Sequence, residues 1–286
     1  MSQTNNNITL VFLMWIPGGF NKFETFINSY IKYPAGIAHD FLIVFKNSNK
    51  TKEELQPYYE LLRNNNINFK ELFFDKGLDI DTYFFAAPKV TTEYVAFINN
   101  NSIILDKDWL LKLYNGFEYN NIGAVGCTAS SQSLYNTVYA DQKWYWEFDK
   151  KFIVNFRKYK MFIKAFFYWR FFIFKPFPNP HLRTNAFIMK REVFLKIKHN
   201  EITTKFQAFK FESGKKSLTN QLFNMGLEIL IVGKDGCYYK PADWENSNTF
   251  LQNNQTNLLV ADKQTINYDN ENEIERKKLT KLSWGH

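Results

Sequence analysis

The sequence predicts an α/β protein in which helices cover a mostly parallel sheet, because three observations agree. Residues 8–15 and 41–45 read ITLVFLMW and FLIVF, near-continuous apolar runs that are typical of strands covered on both faces. Between these runs, apolar residues recur at helical spacing. The two patterns then alternate through the first 126 residues, as in successive strand–helix units.

The first predicted strand, residues 8–15, ends at the turn IPGG and leads into a helix. The apolar face of this helix consists of Phe20, Phe23, Phe26, Ile27, Tyr30 and Ile31. After the second strand, Thr51 stands three residues before Glu54. This is a capping pattern, and it predicts the start of a second helix.

Three more strands are predicted at residues 67–74, 91–98 and 122–126. A turn and a helix join the first two of them, and a helix that begins near Trp109 joins the last two. In parallel sheets, ligands bind outside the carboxyl ends of the strands. The loops expected to form a site therefore begin at Ile16, Lys46, Asp75 and Asn99.

Residues 127–286 continue the same domain, so that one domain spans residues 1–286. Residues 181–194 predict a strand and a short helix, and residues 211–233 predict a loop, a helix and a strand. The polar residues 270–281 predict an exposed helix.

Composition predicts a large core and a basic surface. The chain has 286 residues, of which 45% are hydrophobic and 19% aromatic, with a net charge of +8. This charge suits nucleic acid, anionic lipid or a phosphorylated substrate. The sequence MSQTNNN lacks the features of a signal peptide, which predicts a cytoplasmic protein with reduced Cys127 and Cys237. Two cysteines and four histidines, widely spaced, form no zinc pattern.

Residues 150–175 interleave cations with aromatic side chains, and Arg170 makes a membrane span costly. The segment could lie in the interface of an anionic membrane. Alternatively, it could form core helices or a lid with snorkelling cations. No RNA-binding signature accompanies it, so nucleic acid is not predicted as a partner. Dinucleotide and P-loop sites also lack support, because no GxGxxG or GxxxxGK[ST] follows a strand.

The order of these elements resembles the GT-A nucleotide-sugar glycosyltransferases over residues 8–233. The similar stretches are FLIVFKN, DKGLDIDTY, YVAFINNNSIILDKDWL, RTNAFIMKREVF and FESGKKSLTNQLFNMGL. In the bacterial members that build capsule and lipopolysaccharide, the fourth strand often runs into a tip like FLNSDT before a WL helix. DKGLDIDTY resembles the loop that packs by the nucleotide in rhamnan-type transferases.

This resemblance implies a cytoplasmic hexosyltransferase of polysaccharide biosynthesis, with residues 1–126 binding the nucleotide-sugar and residues 127–286 the acceptor. FESGKKSLTNQL occupies the place of the segment that supplies the catalytic base in inverting members, which makes Glu212 the candidate base. Such a base removes the proton of the attacking hydroxyl, here that of a glycan or lipid-linked acceptor. The structural alternative is a carboxylate favoured by the dipole at a helix start.

Asn101 stands where these enzymes usually have an acidic residue of the metal-binding Asp-x-Asp motif. Because Mn²⁺ and Mg²⁺ prefer carboxylates, the triplet Asn99, Asn100 and Asn101 predicts weak or absent metal binding, with cations in its place. The cations near Glu212 are Arg183, Lys215 and Lys216.

Asp106 and Asp108 also spell Asp-x-Asp, but Ile103-Ile104-Leu105 separate them from the strand tip. Asp108, directly before Trp109, is more simply a helix cap. The motif is therefore discounted as a metal site.

The other donor-side candidates follow the predicted strands. Asp79 and Asp81 could contact the ribose, the base or a metal, or could cap the next helix. The remaining ones are Pro17, Gly18, Gly19, Lys46 and Asn47. Arg183, a donor-side candidate, and Thr184 and Asn185, acceptor-side candidates, could hold the diphosphate or sugar hydroxyls, or could form only loop hydrogen bonds. Trp244 is the third acceptor-side candidate, through stacking on a sugar, although most tryptophans are packing residues.

Two other functions fit the pattern. A non-catalytic glycan-binding or scaffold module would keep the fold without its acidic motif, and the asparagine triplet favours it. A nucleotidyltransferase would share the sheet, but IPGGFNKF lacks the basic, glycine-rich loop expected after its first strand.

Overall fold

The computed structural model describes residues 7–137, 160 and 163–285. It is a mixed α/β protein with a central sheet of eight strands and helices on both faces. The predicted fold class, a mostly parallel sheet flanked by helices, is confirmed. The strands are β1 Ile8–Trp15, β2 Asp40–Lys46, β3 Lys70–Phe74, β4 Tyr94–Asn99, β5 Ile103–Ile104, β6 Ile122–Gly126, β7 Ala129–Ser130, β8 His181–Leu182, β9 Ala186–Lys190, β10 Glu228–Val232, β11 Tyr238–Tyr239 and β12 Val260–Ala261.

Nine α-helices are named within the described ranges. They are α1 Phe20–Lys32, α2 Lys52–Asn64, α3 Asp79–Ala86, α4 Trp109–Asn115, α5 Arg191–Lys196, α6 Lys205–Ser213, α7 Leu218–Asn224, α8 Lys263–Asn270 and α9 Glu273–Trp284. A π-helical segment, Lys164–Ile173, precedes β8. Within these ranges, no helix combines the length and apolarity needed to cross a bilayer.

The strand order of the central sheet is β11-β10-β6-β9-β4-β1-β2-β3. Strands β1, β2, β3, β4, β6 and β10 share one direction, because β9 pairs antiparallel with both β4 and β6. Strand β11 also runs antiparallel. Since β9 and β10 come from residues 127–286, both predicted parts of the domain contribute strands to one sheet.

The sheet separates two hydrophobic layers, which explains the continuous apolar run of β1. Leu10 and Phe12 face one layer, where Phe12 stacks on Phe26 of α1 with ring centroids 4.0 Å apart. Val11 and Leu13 face the other layer. Neighbouring residues of a strand point to opposite faces, so a strand buried on both faces needs apolar residues throughout.

The reversed strand β9 has a consequence for the carboxyl edge of the sheet. Ala186, its first residue, pairs with Ile98 near the end of β4. The residues directly before β9 therefore lie beside those directly after β4. Residues 183–185 and the asparagine triplet, far apart in sequence, meet at the same edge.

Most predicted elements are present, with a few differences. Thr51 accepts a hydrogen bond from the Glu54 amide, as the capping pattern predicts. Strand β3 begins at Lys70 and not at residue 67. The expected cap at Asp108 is wrong, because its φ of 58° places it in the left-handed region and its side chain caps no amide of the described chain.

Candidate functional site

A cleft with a volume of about 780 Å³ opens at the carboxyl edge of the sheet. It is lined by Asn99 at the end of β4, by Asp79 after β3 and by Glu212 of α6. The predicted site residues that line it are Asp79, Asn99, Asn101, Arg183, Thr184, Asn185 and Glu212. The base candidate Glu212 and the tip of β4, both proposed from the sequence, therefore line one cavity.

Other predicted residues, all within the described chain, are not part of the cleft lining. These are Pro17, Gly18, Gly19, Lys46, Asn47, Asp81, Asn100, Lys215, Lys216 and Trp244. Several of them have structural roles that explain their positions, as described below.

Glu212 lies in the last turn of α6 and not in a loop that enters a helix. Helix α6 begins with a reciprocal cap between Thr204 and Gln207, and Gly214 follows its end. The carboxylate is thus near the negative end of the helix dipole, where it is disfavoured. The alternative of a dipole-stabilised carboxylate at a helix start is therefore wrong.

The environment of Glu212 changes its acidity. Burial raises the pKa of the Glu212 carboxyl above its ordinary value, and a hydrogen bond from Thr184 and the charge of Arg183 oppose the rise. The charges of Asp79 and Asp262 raise it further. Thr184 Oγ1 donates directly to Oε1 of Glu212. A held carboxylate with a raised pKa can accept a proton more readily than an ordinary one.

Arg183 is paired within the wall of the cleft. Its Nη2 lies 2.6 Å from Oδ2 of Asp262, and both side chains are largely buried, at 12% and 7% exposed. The guanidinium also lies over the Phe250 ring, 4.0 Å from the centroid. Much of the Arg183 charge is therefore already balanced by Asp262.

Asp262 is a residue that the sequence analysis missed. Its Oδ1 accepts hydrogen bonds from the amides of Gln264 and Thr265, which caps helix α8. A signal was present, because Asp262 and Thr265 have the spacing of a capping box, reciprocated by Thr265 Oγ1.

At the asparagine tip, the side-chain amide oxygens of Asn99 and Asn101 accept hydrogen bonds from protein donors. Asn99 Oδ1 accepts from the Asn101 amide at 3.0 Å and from Ser102 Oγ at 3.3 Å. Asn101 Oδ1 accepts from Lys22 Nζ at 2.7 Å. Lys22 was not a predicted site residue, because 79 positions separate it from Asn101 and no local pattern links them.

The divalent metal that the resemblance implies does not fit these residues. The oxygens that would ligate it at Asn99 and Asn101 accept hydrogen bonds, and a lysine ammonium lies 2.7 Å from the latter. In the described part of the chain, no group of three or more His, Cys, Asp and Glu side chains could hold a metal ion. Asp106 instead pairs with Lys112 at 2.6 Å.

Asp79 and Asp81 have different surroundings. Asp81 is buried, and its Oδ2 accepts from the amides of Leu78 and Ile202 at 3.2 and 2.9 Å, so it caps α3 and anchors a second loop. Asp79 lines the cleft. Burial raises the pKa of the Asp79 carboxyl, while the charges of Lys46 and Lys22 lower it.

Lys46 and Asn47 contact the loop that follows β3. Lys46 is buried, and its Nζ donates to the Lys76 carbonyl at 2.5 Å. Burial lowers its pKa, against the charges of Asp79, Asp81 and Asp75. Asn47 adopts a left-handed φ of 54°.

Trp244 does not reach an acceptor. It has 0% exposed surface, and its Nε1 donates to the Tyr239 carbonyl at 3.0 Å. A sugar can stack only on an exposed ring face. This burial removes Trp244 from the acceptor-binding candidates and assigns it to the core.

Much of the basic-aromatic segment, residues 150–159, 161 and 162, lies outside the described residues. In its described part, Trp169 and Ile173 are buried. Tyr168, Phe171 and Phe172 are exposed, at 50%, 59% and 71%. The membrane and the lid hypotheses therefore both stay predictions.

No protein-family model matches the chain, and no curated protein matches it. Among solved structures, it is similar to S. aureus TarS 1-349 in complex with UDP-GlcNAc, with 17% identity and a TM-score of 0.32 over 42% of this chain and 33% of that one. It is also similar to the mannosyltransferase PcManGT from Pyrobaculum calidifontis in complex with GDP-Man and Mn²⁺, with 14% identity and a TM-score of 0.38 over 66% of this chain. The chain thus spans about a third of the first structure and 46% of the second.

Proposed function

We propose that the chain is a glycosyltransferase that moves a hexose from a nucleotide-sugar donor to a hydroxyl of a glycan or glycolipid. The observation that supports this proposal is the cleft shared by Glu212 and the tip of β4. Inverting transfer needs a base on one side of the sugar and a diphosphate site on the other. The lining of one cleft by Glu212 and by Asn99 and Asn101 at the tip of β4 supports this arrangement.

In the proposed reaction, the acceptor oxygen attacks the anomeric carbon of the donor and forms the new glycosidic bond. The bond from that carbon to the diphosphate breaks, and its electron pair leaves with the nucleoside diphosphate. Glu212 takes the proton of the acceptor hydroxyl. Thr184 orients the carboxylate through its hydrogen bond to Oε1, and Arg183 and Asn185 line the same cleft.

The proposed division of labour assigns the nucleotide to residues 1–126 and the acceptor to residues 127–286 of one domain. The acceptor would be a glycan or a lipid-linked glycan of polysaccharide biosynthesis, reached at the cytoplasmic membrane face. The exposed rings of Tyr168, Phe171 and Phe172, beside the exposed Lys164, support contact with an anionic lipid surface.

A glycan-binding module without catalysis is the second candidate, because the tip of β4 carries amides and no carboxylate. The two candidates differ in what they need from Glu212. A binding module has no use for a largely buried carboxylate with a raised pKa, which lowers stability.

Nucleotide titration and one substitution test the proposal. Free UDP, GDP or dTDP at ~100 times its dissociation constant should stabilise the protein by about 2.7 kcal/mol, visible as a higher Tm. Donor hydrolysis and transfer should then fall about 10²- to 10⁴-fold in Glu212→Gln, while nucleotide affinity stays. The control is Glu271→Gln, an exposed carboxylate of the same cleft.

If no nucleotide shifts the Tm, with or without Mn²⁺, the enzyme proposal is overturned. If a nucleotide binds and Glu212→Gln transfers sugar at the wild-type rate, Glu212 is not the base.

A further inference from the structure

We propose that the donor diphosphate is bound without a divalent metal, at a corner formed by Gly18, Gly19, Lys22, Asn100 and Asn101. This Lys22 corner joins the start of α1 to the tip of β4. The inference rests on the proposed function and names the group that replaces the metal. It stands on three independent features of the described residues.

The first feature is the orientation of the amides. A backbone N–H and a lysine ammonium can only donate hydrogen bonds, so they fix the oxygen of each asparagine that they contact. Asn99 Oδ1 faces the Asn101 amide, and Asn101 Oδ1 faces Lys22 Nζ. The side-chain NH₂ groups of Asn99 and Asn101 are therefore the amide groups that can still contact a ligand. They can donate hydrogen bonds to phosphate oxygens and cannot ligate a metal ion.

The second feature is the start of α1, a helix of 13 residues. Gly19 at the N-cap has no side chain that could cap the helix, and the first turn contains no acidic side chain. The positive end of the helix dipole and the first free amides lie here. Lys22 in this first turn adds a second positive charge, an arrangement that an anion stabilises.

The third feature is an unpartnered donor beside this helix start. Asn100 is 3% exposed, and its Nδ2 has no hydrogen-bond partner within the described chain. A methyl group on Gly18 would lie 2.9 Å from this Nδ2 and 3.6 Å from Lys22 Cδ. A side chain at position 18 would collide with this Nδ2, so only glycine lets the turn after β1 pack against Asn100 next to the Lys22 side chain.

The positive charges at the Lys22 corner favour an anion over a metal ion. A divalent cation at Asn101 would stand beside the Lys22 ammonium and the helix dipole, and both would repel it. A diphosphate would be attracted by both. Two other basic groups of the cleft are less suited, because Arg183 is paired with Asp262, and burial lowers the pKa of His181 to about 4, which keeps it neutral.

The experiment measures the dissociation constants of UDP, GDP, dTDP and inorganic pyrophosphate by calorimetry, in EDTA and in Mn²⁺. Wild type is compared with Lys22→Met, Lys22→Arg and Gly18→Ala. Lys32→Met, at the far end of α1 and exposed, removes the same charge as a control. The Tm of each variant without ligand establishes that it is folded.

We expect the wild type to bind one nucleoside diphosphate in EDTA, with no gain from Mn²⁺. Lys22→Met should weaken this binding about tenfold or more, since a charge-assisted hydrogen bond is lost. Gly18→Ala should weaken it too, while Lys22→Arg and Lys32→Met retain it. Affinity for the corresponding nucleoside, which has no phosphate, should not change in Lys22→Met.

Three results would overturn the inference. Binding that requires Mn²⁺ would reject the metal-free site and leave the proposed function intact. Metal-free binding that Lys22→Met does not alter would reject the Lys22 corner alone. Absence of binding by any nucleotide, with or without metal, would reject the proposed function together with this inference.

Discussion

Thr184 donates its hydroxyl hydrogen to Oε1 of Glu212 and so connects the carboxyl edge of the sheet to the last turn of α6. Thr184 is fixed by the pairing of β9 with β4, and Glu212 by a helix. The hydrogen bond thereby fixes the position of the Glu212 carboxylate in the cleft. Removing this hydrogen bond is therefore the most direct test of the proposed base.

Replacing Thr184 with valine should remove the hydrogen bond and keep the volume of the side chain. The bond lowers the pKa of the Glu212 carboxyl, so its loss should raise that pKa further. The acidic limb of the pH–rate profile for sugar transfer should move to higher pH, and stability should fall by about 1–3 kcal/mol. Thr184→Ser keeps the hydroxyl and should keep the wild-type profile; an unmoved profile in the valine variant would contradict the role assigned to Thr184.

The stability advantage of the Glu212→Gln variant over the wild type should grow as pH rises. Burial raises the pKa of Glu212 above its ordinary 4.5, so the folded state binds this proton more tightly than the unfolded state. Wild type therefore loses stability as pH increases from 4.5 through the folded-state pKa, whereas glutamine does not titrate. The Tm difference between the two proteins, measured from pH 4 to pH 8, should grow in favour of glutamine. A difference that shrinks with rising pH would show that the carboxylate is stabilised by its surroundings.

The pair of Arg183 and Asp262 should have a large effect on stability. Asp262→Asn keeps a good N-cap for α8 but leaves a buried arginine charge without its partner, at a cost of about 3 kcal/mol. Asp262→Ala should cost roughly 1 kcal/mol more, because the cap is lost as well. Urea denaturation measures both.

The double variant Arg183→Met with Asp262→Asn is the matched comparison. It removes both charges and should recover most of the loss. If Asp262→Asn alone unfolds at the wild-type urea concentration, the pair contributes nothing to stability.

Membrane contact can be tested by flotation with vesicles. Wild type should float with vesicles that contain anionic lipid and remain behind with neutral ones. The double variant Phe171→Ser and Phe172→Ser should lose most of this binding, since two exposed rings are removed. Phe223→Ser changes an exposed phenylalanine of α7 and serves as control; equal loss in the control would argue against a specific surface.

The fold was largely predictable because its strands are apolar in continuous runs and its helices have clear starts. The continuous apolar run of residues 8–15 predicted a strand covered on both faces, and Thr51 with Glu54 marked the start of α2. The reversal of β9 was not predictable, since Ala186–Lys190 has the same apolar character as a parallel strand. Direction depends on pairing partners, and those of β9 are distant in sequence, in β4 and β6.

The site was also predictable only in part, because some of its contacts join residues that are distant in the sequence. Glu212 and the asparagine triplet were found through the family resemblance; Glu212, Asn99 and Asn101 line one cleft, and Asn100 does not. Lys22 and Asp262 act through contacts with Asn101 and Arg183, each across 79 positions. Trp244 was misassigned because an exposed ring and a buried ring look alike in a sequence.

The placement of β9 between β4 and β6 also bears on how the chain is made. While the ribosome has released only the first 126 residues, β4 has no neighbour on one side, and β6 has none to join it to the rest of the sheet. Unpaired, apolar strand edges of this kind pair with strands of other chains and promote aggregation. The nascent protein therefore needs about sixty further residues before its central gap closes, and a gene truncated at that boundary should yield an aggregate and not a nucleotide-binding fragment.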